Sequence, residues 1–289
     1  MWVALVFLCL FAALVVTVWR RVNIYTLVYV WDFIMRPWRN RQNEQLRLLA
    51  LPARGTHLED KNFGVCPGMI PAELFPLDDV QALTRELQQA HNQIAGELGG
   101  LLARGERGRS IRDVDERLVR SFGDVEAWRT IWLQFLHDDA GDLDQLPTLR
   151  RILDKYRAHI GMAFVSILPA HTVIPPHTGV LNTVLRYHYG LVVPSDDTAN
   201  NNHGLNLALN VNEHQIRWQN RKAFLFDDTY VHCAFNHTDR QRIILFLDII
   251  RPMPWPLSKI NRLINSLFLS STHMQQVKRR MQHGDHKKQ

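Results

Sequence analysis

Leu205-Asn206-Leu207-Ala208-Leu209-Asn210-Val211 places an aliphatic residue at every second position, with Asn, Ala and Asn between them. A period of two marks a strand with one face buried and the other polar. The same texture continues on both sides of this stretch. Residues 163–168, 183–193, 223–226 and 242–250 are short runs rich in Val, Ile, Leu and Phe, broken by Pro, Gly, Asn and Asp. Several strands at close spacing with no long helix between them predict a mainly β fold, an antiparallel sandwich or jelly roll, over residues 161–252. Upstream the pattern changes to helical. Residues 77–102 read as a helix with Asp78 and Asp79 near its start and Gly99-Gly100 near its end, and 113–120 and 146–159 as shorter ones. Residues 66–160 are therefore assigned as a helical N-terminal part of the same catalytic-looking unit, and 22–65 as a juxtamembrane segment and linker.

Of 289 residues, 46% are hydrophobic and 21% charged, which excludes global disorder and a collagen-like chain. The net charge of +6 is unevenly placed. Residues 1–41 hold five arginines against Asp32, a net of +4, and residues 251–289 hold eight basic residues against Asp285, a net of +7. The remaining residues 42–250 stand at −5. A nucleic-acid groove needs its Lys and Arg on the folded core, so no nucleic acid is expected as partner.

No charge occurs from Trp2 to Trp19. Eighteen helical residues rise about 27 Å, close to the roughly 30 Å of a bilayer's hydrocarbon, and the two tryptophans would stand at its interfaces. Arg20 and Arg21 follow the run and no basic residue precedes it, so residues 1–21 are predicted to be a retained single transmembrane helix with the body facing the cytoplasm. Residues 22–35 are apolar except for Asp32 and suit an interfacial helix. Cys9, Cys66 and Cys233 make no disulfide framework. Residues 253–289 form an amphipathic basic tail: Leu257, Ile260, Leu263, Ile264, Leu267 and Phe268 share a helical face. That face fits either an anionic leaflet or the side of the barrel.

Chemistry is sought on the strands. Arg186 and His188 are two apart and project from one face. Arg242 opens an otherwise apolar strand, so its head needs an anion, or else a salt bridge to Asp227, Asp228 or Asp248. His177 and His232 each sit at the edge of a strand-like run. A His-x-Asp with a distant His is the usual non-haem iron set, but Gly179 stands where the acid would be. The literal His237-Thr238-Asp239 reads as a loop.

Together, Phe164-Val165-Ser166-Ile167-Leu168, Ile174-Pro175-Pro176-His177-Thr178-Gly179 and Leu185-Arg186-Tyr187-His188-Tyr189-Gly190-Leu191-Val192-Val193-Pro194 resemble the aspartyl/asparaginyl β-hydroxylase family. So do Phe226-Asp227-Asp228-Thr229-Tyr230-Val231-His232 and the stretch from Arg242 through Asp248 to Arg251-Pro252. The resemblance spans roughly residues 120–252. It implies a double-stranded β-helix, or cupin-like jelly roll, with flanking α-helices, and an Fe(II)- and 2-oxoglutarate-dependent dioxygenase that uses O2 as co-substrate. His177 and His232 would be the metal ligands, and Ser166, Arg186, His188 and Arg242 would hold the 2-oxoglutarate. In this family Gly is the normal residue at Gly179's position, so the missing acid does not imply a dead site. Two departures stand out: Arg221 where the family usually has Gly in a turn, which puts that turn's conformation in question, and Leu146-Pro147 where it has Cys-Pro.

No acid–base dyad is needed for hydroxylation of an unactivated C–H, and none is visible. A single anchor and the absence of repeats lean the resemblance toward lipid A or aminolipid acyl-chain hydroxylases. Peptidyl-aspartate or asparagine hydroxylation and a non-catalytic 2-oxoglutarate-binding module are the other readings.

Overall fold

Two mainly antiparallel sheets, flanked by helices, make up the fold. The structure, a computed structural model, describes residues 77–282 apart from 115–126, 136–137, 140, 180–182, 196–204, 213, 254 and 256, together with residues 54–55 and 63–65. The strands are β1 (Arg54–Gly55), β2 (Phe63–Val65), β3 (Arg109–Ser110), β4 (Arg129–Phe135), β5 (Asp138–Asp139), β6 (Ile160–Leu168), β7 (Thr172–His177), β8 (Val184–Val192), β9 (Leu207–Val211), β10 (His214–Ile216), β11 (Ala223–Phe226), β12 (His232–Asn236) and β13 (Arg242–Ile250). The helices are α1 (Asp78–Gln89), α2 (His91–Ala103), α3 (Ile111–Val114), α4 (Pro147–Tyr156), α5 (Leu257–Leu269) and α6 (Thr272–Gln282). One sheet runs β1-β10-β9-β12-β7 and the other β2-β11-β8-β13-β6-β4-β3, with β5 beside β4.

The mainly β expectation agrees with this arrangement, and residues 223–226 and 242–250 have the predicted bounds. β13 lies between β8 and β6 and is buried at seven of its nine positions. That placement explains its nearly unbroken apolar run, since a strand covered on both faces has no solvent side to alternate with. β4 and β12 were not anticipated. Part of the segment read as a linker supplies β1 and β2, which pair in parallel with β10 and β11.

The predicted helix over 77–102 is two helices that break at Ala90. In α1, Asp78 and Asp79 face the positive end of the helix dipole, and Val80, Leu83, Thr84 and Leu87 are buried at helical spacing. This face covers the outer side of β8: Thr84 Oγ1 and Tyr187 Oη are 2.9 Å apart, and Tyr189 Oη donates to the Leu87 carbonyl at 3.1 Å. With Tyr187 and Tyr189 turned to the helices, strand alternation sends Arg186 and His188 to the other face, between the sheets. Of the helix expected at 113–120, only α3 up to Val114 falls in the described residues. No described helix is long and apolar enough to cross a membrane, and the span predicted over residues 1–21 lies outside the described residues.

Candidate active site

His177 ends β7 and His232 begins β12, and the antiparallel register sets them directly opposite each other, with ring centroids 4.1 Å apart. Each ring is held the same way. His177 Nδ1 lies 2.8 Å from the Pro175 carbonyl and His232 Nδ1 lies 2.9 Å from the Tyr230 carbonyl. Carbonyls only accept, so both Nδ1 atoms carry the proton and both Nε2 atoms present a lone pair, the tautomer a metal ligand needs. Burial lowers the His232 pKa and keeps that ring neutral.

Gly179 is explained by its neighbour. Its N–H donates to the Asp228 carbonyl at 2.7 Å, and a Cβ built on it would fall inside the Asp228 carboxylate. Asp228 therefore fills the space that an acid at position 179 would use. It is 1% exposed, its Oδ2 accepts from Arg186 Nε at 2.7 Å, and its Oδ1 has no hydrogen-bond partner among the described residues. The turn leading to His232 is shaped by Asp227, whose Oδ1 accepts from the Thr229 N–H and hydroxyl while Oδ2 pairs with buried Arg251 at 2.7 Å.

The two candidate arginines differ sharply. Arg186 is shared between Asp228 and Asp248. Burial works against its charge, but the two carboxylates more than compensate and hold its pKa above the ordinary arginine value. Arg242 is 2% exposed and has no carboxylate at salt-bridge distance among the described residues. The salt bridges proposed for it are made instead by Arg186 and Arg251. Its guanidinium donates one hydrogen bond, to Ser166 Oγ at 2.8 Å, and rests 4.5 Å from the centre of the Trp218 ring, while Nε is unpartnered. Burial pulls its pKa down to about 9.

Around Arg242 the donors converge. Ser166 Oγ accepts from Arg242 and from Trp128 Nε1, at 2.9 Å, so both its lone pairs are used and its own proton is left to give. Trp218 Nε1, which can only donate, meets His188 Nδ1 at 3.2 Å. His188 is neutral, its pKa driven well down by burial and then by Arg242, so its proton sits on Nε2, an unpartnered buried atom. Ser166 O–H, His188 Nε2–H and Arg242 Nε–H thus line one cavity as uncommitted donors, the complement of a carboxylate.

The cavity also holds His177, His232, Arg186 and Asp228, and its remaining walls are mostly apolar: Ile111, Trp128, Trp132, Met162, Phe164, Ile174, Leu209, Phe226 and Phe246 among them. All six candidate site residues therefore come together. Asp228 and Trp218 were missed as site residues. Asp228 was visible only as a possible counter-ion, and the spacing of Trp218 carried no signal. His237, Thr238 and Asp239 lie in a turn after β12, with Asp239 exposed. Arg221 keeps the turn before β11 by adopting φ 65°, held by its N–H to the Gly190 carbonyl and by its carbonyl accepting from Gln88. Gly190 allows that approach, since a Cβ there would strike the Gln219 carbonyl.

Among the described residues no group of three or more His, Cys, Asp or Glu is arranged to hold a metal. The paired histidines, each with Nδ1 engaged by a carbonyl, nevertheless fit two ligands of a metal that keeps open positions, and the donor cluster fits an anionic co-substrate.

A mainly β fold here encloses paired histidines and a buried cluster of hydrogen-bond donors. The family model for aspartyl/asparaginyl beta-hydroxylase matches residues 88–252, and the chain belongs to that family. It is 30% identical over 177 residues to an ornithine lipid ester-linked acyl 2-hydroxylase of Rhizobium tropici, covering 61% of this chain and 60% of that protein. It is 32% identical over 92 residues to the human aspartyl/asparaginyl beta-hydroxylase, covering 32% of this chain and 11% of that protein. The chain thus spans under two thirds of the length of these relatives. A solved oxidoreductase of the 2OG-Fe(II) oxygenase family from Burkholderia pseudomallei superposes with a TM-score of 0.32 at 9% identity, over 44% of this chain and 68% of that one.

Proposed function

We propose that the protein is an Fe(II)- and 2-oxoglutarate-dependent hydroxylase that acts on the acyl chain of a membrane lipid. The convergence of three uncommitted donors from Ser166, His188 and Arg242 on one buried cavity, beside two facing histidines whose Nδ1 atoms are engaged by carbonyls, carries this reading. Strand order supports the double-stranded β-helix that the reading requires: the eight strands β6 to β13 divide between the sheets as β11-β8-β13-β6 and β10-β9-β12-β7.

Iron bound with 2-oxoglutarate supplies oxidation of an unactivated C–H by O2, with release of succinate and CO2. His177 and His232 would hold the metal through Nε2. Arg242 would bind a carboxylate of the co-substrate, with Ser166 and His188 donating to the same dicarboxylate. Arg186 lies in the same cavity but is committed to Asp228 and Asp248, so its role would be to hold those two carboxylates in place beside the site. The aromatic and aliphatic walls would exclude water and accept a hydrocarbon substrate. Residues 1–21 would anchor the chain, with the catalytic part on the cytoplasmic side.

Mass spectrometry of membrane lipids from cells with the intact gene, with His177→Ala and with no gene tests the reading. The expected result is one oxygen atom added to an acyl chain in the first sample alone. Unchanged lipids together with oxygen on Asp or Asn of a peptide would replace the lipid reading by peptide hydroxylation.

A further inference from the structure

Helix α5 is folded with its polar side inward. Asn261 and Asn265 are 3% and 4% exposed, whereas Ile260, Leu263, Ile264 and Leu267 are 48%, 59%, 45% and 64% exposed. The asparagines do the docking. Asn261 Nδ2 donates to the carbonyls of Thr183 and Arg251 at 3.0 and 3.1 Å, and Thr183 Oγ1 donates to Asn265 Oδ1 at 3.2 Å. Arg262 adds a bond to the Ala158 carbonyl at 3.0 Å. These bonds tie the helix to main-chain groups at the start of β8, after β13 and before β6, and rolling it to bury its leucines would break all of them. The aliphatic residues follow the i, i+3, i+4, i+7 spacing of one helix face, and Trp255, 63% exposed, precedes them.

A contiguous apolar face rimmed by polar groups marks a surface that meets something. We propose that this face of α5 docks the catalytic part onto an anionic lipid leaflet, the side chains of Leu263 and Leu267 entering the acyl boundary. Charge complementarity selects this occupant. Lys259 sits beside the apolar residues, and residues 251–289 carry a net +7, of which, among the described residues, only Arg251 is buried, against Asp227 in the body of the fold. A second copy meeting it face to face would bring the same basic segment, and the N-terminal residues 1–41 would bring +4, so both of these occupants drawn from this chain are disfavoured. An anionic surface is attracted. The docked helix pair also adjoins the cavity wall, because α6 packs on α3, whose Ile111 lines the cavity.

This deepens the lipid reading by stating how the enzyme meets its substrate's phase, but the contact is measured without turnover. The full chain carrying a benzophenone amino acid in place of Leu263 is reconstituted in phosphatidylglycerol–phosphatidylcholine vesicles and irradiated, with the same photoprobe in place of exposed Asp239 as control. Phospholipid adducts are expected at 263, several-fold above those at 239, and they should fall in zwitterionic vesicles and with Lys259→Glu. A crosslinked dimer, a crosslink to residues 1–53, or no adduct above the control would each overturn the proposal. Lipid adducts without any lipid hydroxylation would sink the lipid-substrate reading alone; hydroxylated lipid without adducts would sink the docking surface alone.

Discussion

Replacing Arg242 by Met should make the ligand-free protein more stable and unable to bind 2-oxoglutarate. The guanidinium is buried without a carboxylate partner, and burial pulls its pKa down to about 9. A fall of that size from the ordinary arginine value corresponds to at most about 5 kcal/mol disfavouring the charged form in the folded state. The lost hydrogen bond to Ser166 and the contact with Trp218, together about 2–3 kcal/mol, offset part of it. A net gain of about 2 kcal/mol is left, or a rise of about 5 °C in Tm for a domain of this size. Because the folded-state pKa is the depressed one, the advantage of the variant is complete at neutral pH. It narrows as pH rises above that lowered value. Thermal unfolding under anaerobic conditions with Fe(II), with and without 2-oxoglutarate, reads both effects. At a hundredfold excess over Kd the ligand should stabilise the parent by about 2.7 kcal/mol and leave the variant unmoved. A variant less stable than the parent, or one that 2-oxoglutarate still stabilises, would refute the reasoning.

Trp218→Phe keeps a ring under Arg242 and removes the donor to His188 Nδ1, so KM for 2-oxoglutarate should rise about fivefold to tenfold at nearly constant kcat, roughly one neutral hydrogen bond. Nitrogen NMR of His188 should show the tautomer mixture the indole now suppresses, and an unchanged tautomer would count against the role. Gly190→Ala, which drives a Cβ into the Gln219 carbonyl, should displace the Trp218 turn, reproduce that KM effect and destabilise the fold by about 1–3 kcal/mol. Gly179→Ala should lower stability by a similar amount and weaken Fe(II) affinity, and its effect should not add to that of Asp228→Ala, which vacates the space the new methyl needs.

Much of the site is legible from residue order because strand alternation is a local rule. Arg186 and His188 share a face for the same reason that Tyr187 and Tyr189 share the opposite one, and a single strand carries all four. Across strands that rule loses its reach. Which carboxylate answers which arginine depends on how β8, β13 and the Asp227–Thr229 turn pack, and the pairing went to Arg186 and Arg251 instead of Arg242. Trp218 escapes notice because its importance lies in one N–H aimed at a ring thirty residues away. Asp228 becomes part of the site only once Gly179 is seen to lie against it. Helix α5 shows the limit most plainly. Periodicity reveals that Ile260, Leu263, Ile264 and Leu267 share a face, but the direction of that face is set by the carbonyls of Thr183 and Arg251 that Asn261 engages across the fold. Residue 221 marks the opposite case, where family habit expects Gly and the backbone holds the same left-handed turn around Arg through contacts with Gly190 and Gln88.

Succinate release by the purified full chain, supplied with Fe(II), 2-oxoglutarate, O2 and native membrane lipid, tests the central claim most directly. The account predicts turnover that requires all four and disappears in His232→Ala; membranes of every composition yielding no Fe(II)-dependent succinate, with 2-oxoglutarate still bound, would contradict it and leave a binding module in its place.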